Sequence, residues 1–184
     1  MHEKLFENYF LVGGTALALQ IGHRNSIDID LFGNSEINPN QFINKLDEFG
    51  EVIINQSTKN ILITKIKGIK VNFVNYKYPL LSNPINIDSI RMLSKTDIAA
   101  MKINAITGRG SKKDFIDLYF LLKDFSLREI LNFYNQKYHN GSEFMALKSL
   151  TYFEDADLQP QPQMFKEFDW EKCKQFILEE TRKL

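Results

Sequence analysis

Apolar residues recur along this chain with two different periods, and the change from one to the other divides it. Up to residue 76, short runs of period two alternate with helical stretches; from Ser94 onward the spacing is that of helices alone. Residues 10–12 (Phe-Leu-Val) read as a strand ending at Gly13-Gly14, a turn open to backbone angles that other residues avoid. Thr15 then begins an apolar helix over 15–21, with Gly22 in the C-cap position. Residues 27–32 alternate polar and apolar, which predicts a second strand. Asn38-Pro39 predicts a helix start with Pro at the first helical position, and Gly50 stops that helix after Phe49. Three further strands are expected at 52–56, 61–66 and 69–76, the last two joined through a hairpin at Lys67-Gly68; their β-branched content supports them.

The helical half is expected to hold helices at 95–106 and 112–125, the first ended by Gly108-Arg109-Gly110. Ser126 caps the next, with Glu129 three residues on as a capping box. Later helices are expected at 142–152 and 169–183, separated by an extended loop at Gln159-Pro160-Gln161-Pro162-Gln163. The fold class is therefore α+β: a small mixed β-sheet flanked by helices (1–92), then a C-terminal helical region (93–184) packed on it. A chain of 184 residues, 43% of them hydrophobic, can bury a real core, so wholesale disorder is excluded.

Charge adds little to this picture. Lys plus Arg and Asp plus Glu number 23 each, so no global basic field marks a nucleic-acid binder, although a local patch is compatible with it. The lone Cys173 cannot make an internal disulfide, which fits a reducing compartment. No run resembles a membrane span or signal peptide, so no membrane partner is expected and the expected location is the cytoplasm.

The candidate chemistry lies in two turns of sequence. On a strand, Asp28 and Asp30 point to the same face, and side-by-side carboxylates repel unless a cation sits between them. Oxygen ligands of this kind suit Mg²⁺ or Mn²⁺ rather than zinc. By itself Asp-x-Asp also fits a solvated edge strand. The Gly13-Gly14-Thr15 turn leads into a helix N-terminus, where free N–H groups and the helix dipole favour an anion; by itself it also fits a plain capped turn. Together they place a triphosphate beside a divalent cation, the arrangement that metal-assisted nucleotidyl transfer requires.

Leu11-Val12-Gly13-Gly14-Thr15-Ala16-Leu17-Ala18-Leu19, followed by His23-Arg24-x-Ser26-x-Asp28-Ile29-Asp30-Leu31-Phe32, resembles the opening of the AbiEii family, the nucleotidyltransferase-like toxins of type IV toxin–antitoxin and abortive-infection systems. A second block agrees: Asp97-Ile98-x-x-Met101-Lys102-x-x-Ala105, then Arg109, then Lys113-Asp114-Phe115-x-Asp117-Leu118-Tyr119-x-Leu121-Leu122. The resemblance implies that Gly13, Gly14 and Thr15 hold the phosphates of an NTP, with Arg24 and Ser26 as neighbouring contacts. It implies that Asp28 and Asp30 hold the metal, that Lys102 contacts the triphosphate with Arg109 beside it, and that Asp114 or Asp117 completes the site. Read from spacing alone, Lys102 is a solvated helix charge and Arg109 a helix-end cation, while Asp114 is equally a helix-dipole partner and Lys113 with Asp117 equally an i,i+4 ion pair.

One position departs from the pattern. A third carboxylate is usual on a later strand of this fold, and Asn72 stands where it is expected, offering a neutral carbonyl ligand that cannot act as a base. The resemblance implies transfer of NMP from an NTP to an RNA (the end of a tRNA) or to a protein hydroxyl, restrained by a cognate antitoxin. Two other readings share the same residues: a nucleotide- or partner-binding module with a degenerate site at Asn72, and an antibiotic nucleotidyltransferase. A basic groove beside Lys102, Arg109, Lys112 and Lys113 would favour RNA over the antibiotic.

Overall fold

The computed structural model describes residues 3–184; Met1 and His2 lie outside the described residues. The chain forms two compact units. The first takes the chain up to Ala16, then Ser26–Tyr78 and Pro84–Leu93. The second takes Leu17–Asn25, Pro79–Asn83 and Ser94–Leu184.

The first unit is built on a seven-stranded mixed sheet. Its strands are β1 (Tyr9–Val12), β2 (Ile29–Gly33), β3 (Val52–Ser57), β4 (Ile61–Ile66), β5 (Ile69–Asn75), β6 (Ile85–Ile87) and β7 (Ile90–Met92). The spatial order is β3-β4-β5-β2-β1-β7-β6. The β2–β5 and β1–β7 pairs are parallel and the others antiparallel. Side-chain alternation decides what each face carries. Tyr9, Leu11, Leu31, Leu62, Ile66, Val71 and Phe73 are buried on one face. There Phe42, on helix α2 (Pro39–Leu46), stacks edge-on against Tyr9 and Phe73, and Phe6 completes the aromatic cluster. Phe42 and Phe73 each meet the other three rings, and truncating such a buried ring costs about 3–5 kcal/mol. The other face carries Val12, Asp30, Asn72 and Ile63 in one row across four strands.

The second unit is helical: α3 (Lys95–Gly108), α4 (Lys112–Leu121), α5 (Leu127–Lys137), α6 (Glu143–Leu150), the single turn α7 (Glu154–Asp157) and α8 (Trp170–Arg182), with the last residues of α1 (Gly13–Ile21). Helix α3 packs against α4, α5 and α6, and α4 against α8. That central position explains why α3 is apolar on more than one face, with Ile98, Ala99, Ala100, Ile103 and Ile106 all buried. Ser94, Ser126, Ser142 and Asp169 cap their helices through side-chain oxygens, and the expected capping box of Ser126 and Glu129 is present.

The expected α+β class is the observed one, and the differences are local. Helix α1 starts at Gly13, two residues before Thr15, with Gly13 itself at φ 69°. The second strand begins at Ile29, so Asp28 stands just ahead of it rather than within it. The helix after Asn38 gives way at Leu46 to a 3₁₀ turn over Asp47–Phe49. The helix expected to run to Phe125 ends at Leu121. The short strands β6 and β7 were not expected, because three-residue pairs lie below the length at which alternation can be read.

Candidate active site

The candidate residues fall into two groups, one in each unit. In the first unit, β1 runs into the Gly13-Gly14 turn and pairs with β2 so that Val12 lies opposite Asp30. This register brings the Asp30 carboxylate onto the turn: its Oδ2 lies 3.1 Å from the point a Cβ on Gly13 would occupy. Glycine is required there twice over, by the positive φ and by the approach of the carboxylate. The Thr15 hydroxyl donates to the backbone carbonyl of Asp28, and its Oγ1 lies 2.9 Å from Ser26 Oγ. The turn is thereby tied to the residue that precedes β2. Thr15, expected to hold a phosphate, thus already spends its proton within the protein.

On the neighbouring strand Asn72 is in register with Asp30, and its Nδ2 donates to Asp30 Oδ1 at 2.6 Å. The position expected from sequence is therefore adjacent to the acid pair. The Oδ1 of Asn72 is buried and has no hydrogen-bond partner. A buried amide oxygen left unpaired is costly unless a donor or a cation meets it. Two half-buried carboxylates and this oxygen form a set of hard donors, which fits a small divalent cation. No grouping of three or more His, Cys, Asp or Glu suited to a metal exists among the described residues, so no third His, Cys or carboxylate joins Asp28 and Asp30 here.

In the second unit the charges form a closed network. Arg24 grips Asp117 with two parallel bonds, Nε to Oδ1 at 2.7 Å and Nη2 to Oδ2 at 2.8 Å. His23 Nε2 donates to the same Oδ1 at 2.7 Å. Lys102 Nζ lies 2.6 Å from Asp117 and 2.9 Å from Asp114. Arg109 donates to both oxygens of Asp114, and Ser111 Oγ to one of them. Both aspartates are fully buried. Burial by itself would push each carboxyl up; the charge of Lys102, aided by Arg109 for Asp114 and by His23 and Arg24 for Asp117, outweighs it and holds both well below the usual carboxylate range. Burial likewise pulls the Lys102 ammonium down, and the two carboxylates more than restore it, leaving it raised.

Several local alternatives are thereby settled. Lys102 is not a solvated helix charge, and Asp117 is held by Arg24, His23 and Lys102. Of the four cations whose groove would favour RNA, Arg109 and Lys113 are exposed and the other two are not. Lys102 and Lys112 are buried, and Lys112 Nζ is turned to the carbonyl of Asp157.

Sequence reading also missed a second buried pair. Lys137 Nζ donates to Asp97 Oδ1 at 2.7 Å and to the carbonyl of Pro79 at 2.6 Å. Asp97 in turn accepts from the backbone N–H groups of Leu81 and Ser82 and from Ser94. A signal existed: Lys137 continues the buried stripe Ile130, Tyr134 at helical spacing, where a lysine needs a buried partner. Cys173 is buried against α4 and its thiol is pushed up to about 12 by that burial, so it stays an unreactive thiol.

Comparison with known proteins gives the family and the fold. The family model described as nucleotidyl transferase AbiEii toxin, type IV TA system, matches residues 1–88 and 73–183. An uncharacterized protein of Aquifex aeolicus (strain VF5) is 38% identical over 182 residues, covering 92% of this chain and 88% of its own. Among solved structures, a putative nucleotidyltransferase from H. pylori superposes with a TM-score of 0.62 at 16% identity, over 97% of this chain and 86% of that one. The nucleotidyltransferase toxin MenT4 from Mycobacterium tuberculosis H37Rv gives 0.62 at 13% identity, over 96% and 76%. These two likenesses concern the fold. The family match spans nearly the whole chain, and the chain belongs to the AbiEii family, the nucleotidyl transferase toxins of type IV toxin–antitoxin systems.

Proposed function

We propose that the chain transfers NMP from an NTP to a hydroxyl of RNA, at the Gly13 turn and the Asp28–Asp30 segment, with Mg²⁺ as the metal. The observation that carries this reading is the approach of Asp30 Oδ2 to Gly13, which sets a carboxylate against a helix N-terminus. An anion-binding end and an acid side by side are not a stable arrangement for a bare phosphate. A divalent cation held by the carboxylates would make them compatible.

In the reaction, the acceptor oxygen bonds to the α-phosphorus, the bond from that phosphorus to the bridging oxygen breaks, and pyrophosphate leaves with the electron pair. The first N–H groups of α1, exposed by Gly13 and Gly14, bind phosphate oxygens and orient the chain of phosphates. Asp28, Asp30 and Asn72 would hold the cation, which supplies charge neutralisation and lowers the pKa of the attacking hydroxyl. Asn72 cannot take that proton, so Asp28 or Asp30 is left as the acceptor of it. Thr15 fixes Asp28 by its hydrogen bond to the Asp28 carbonyl. In the second unit, Lys102 and Arg24 hold Asp114 and Asp117 ionised, and Arg109 keeps an exposed guanidinium beside them.

The test is incubation with each labelled NTP, Mg²⁺ and total RNA, beside the Asp28→Ala/Asp30→Ala variant. Label in RNA with the wild type alone is the expected result. Label in protein instead would redirect the acceptor, and label in neither, despite NTP binding, would overturn the transfer reading.

A further inference from the structure

The sheet face that bears Asp30 and Asn72 continues across β5, β4 and β3. Alternation places Lys70 on it, two residues before Asn72 and so about 7 Å along the strand. On β4, Lys65 lies directly opposite Lys70, and Ile63 directly opposite Asn72. On β3 the register shifts between Ile54 and Gln56, a bulge that leaves Asn55 without a cross-strand partner. Asn55, Ile63, Lys65 and Lys70 line a concavity of about 350 Å³. This is within the range of small-ligand sites.

Two lysines directly opposite each other on one sheet face repel, and such pairs are destabilising. Both are exposed, and among the described residues neither has a carboxylate partner. Five lysines, Lys45, Lys59, Lys95, Lys174 and Lys183, pair with acids, whereas Lys65 and Lys70 face each other. The pair sits on the inner strands β4 and β5, on the face that carries Asn72 and two residues along the strand from it.

We infer that Lys65 and Lys70 form the track for the phosphodiester backbone of a single-stranded RNA acceptor, with Ile63 and Asn55 beneath the adjoining nucleotide. This rests on the proposed transfer site only for direction: the strand end is delivered to Asp30 along β5. The charge pair itself calls for a polyanion. Lysine ammonium groups suit phosphates as point charges, and a flat pair of them tracks a backbone without reading its sequence.

The test is RNA binding by the full chain with no NTP present, so that it reads independently of catalysis. Affinity for a fluorescein-labelled single-stranded RNA is measured by anisotropy over a salt series. Wild type is compared with Lys65→Gln/Lys70→Gln and with Lys172→Gln, an exposed lysine of α8, as a charge control. Each single-strand phosphate contact contributes a slope of about 0.7 in log affinity against log salt. The double variant should bind about tenfold more weakly with a slope flatter by about 1.4, while Lys172→Gln behaves as wild type and NTP binding is unchanged in all three. Equal RNA affinity in wild type and double variant, no RNA binding by wild type, or an equal loss in Lys172→Gln each overturns the inference. Failure of the transfer assay with the track intact would overturn the catalytic reading alone. Label passing to protein in place of RNA would overturn the acceptor assigned to the track.

Discussion

Asn72 donates its side-chain amide to Asp30 across the parallel β2–β5 pair at 2.6 Å, while its own carbonyl oxygen is buried without a partner. An aspartate at this position would set a third carboxylate against Asp30, and like charges at that distance resist joint ionisation. Asn72→Asp is therefore expected to melt at a lower temperature than the wild type in EDTA and to recover on addition of Mg²⁺, by more than the wild type gains. Differential scanning calorimetry with and without the cation checks it; a variant indifferent to Mg²⁺ would argue that no cation binds beside Asp30.

Gly13→Ala combines two penalties. The left-handed φ of 69° costs an L-residue about 1–2 kcal/mol, and the new Cβ would sit 3.1 Å from Asp30 Oδ2. The carboxylate must yield, so transfer activity should fall at least about tenfold for a stability loss of only about 1–2 kcal/mol. Gly22→Ala carries the backbone penalty without any neighbouring atom within 4 Å, and should lose stability but keep its activity. Urea melts alongside transfer rates separate the two effects.

Asp117→Ala would leave Arg24, His23 and Lys102 around an empty place in a buried network. Removing one partner of a buried pair costs about 3–5 kcal/mol, so urea denaturation should show a loss of that order. Replacing the exposed Lys113 on the same helix should shift the midpoint little.

The same network sets the response to pH. Folded Asp114 and Asp117 titrate below their unfolded counterparts, near about 3.9. Their contribution is complete above that value and is lost as pH falls toward the lowered folded values. Lys102 is displaced upward, so its contribution is intact below the ordinary lysine value of about 10.4 and lost only as pH rises past it. Melting temperatures should therefore be flat between about pH 5 and 10 as far as this network is concerned, and fall steeply below about pH 4.

Much of this was legible in the sequence because it is local. Gly13-Gly14 before a helix and Asp28-x-Asp30 around a strand start are read from neighbouring residues, whereas Asn72 was marked by the family pattern and its pairing with Asp30 needed the β2–β5 register. The partners of Asp117 were not legible: Arg24 lies 93 residues away, and periodicity carries no information about which helix a buried acid meets. Lys137 with Asp97, 40 residues apart, failed for the same reason. The opposition of Lys65 and Lys70 needed the hairpin register, which follows from the turn at Lys67-Gly68 but changes faces with a slip of one residue.

The most direct measurement of the central claim is nucleotide transfer by Asp30→Asn, a substitution that keeps the shape of the side chain and removes its charge. With labelled NTP, Mg²⁺ and RNA, the variant should melt near the wild-type temperature and still bind RNA, while label transfer and pyrophosphate release fall together by about a thousandfold or more, a loss of about 4 kcal/mol in transition-state stabilisation. Undiminished transfer by a folded Asp30→Asn protein would contradict the assignment of the site to the Gly13 turn and the Asp28–Asp30 segment.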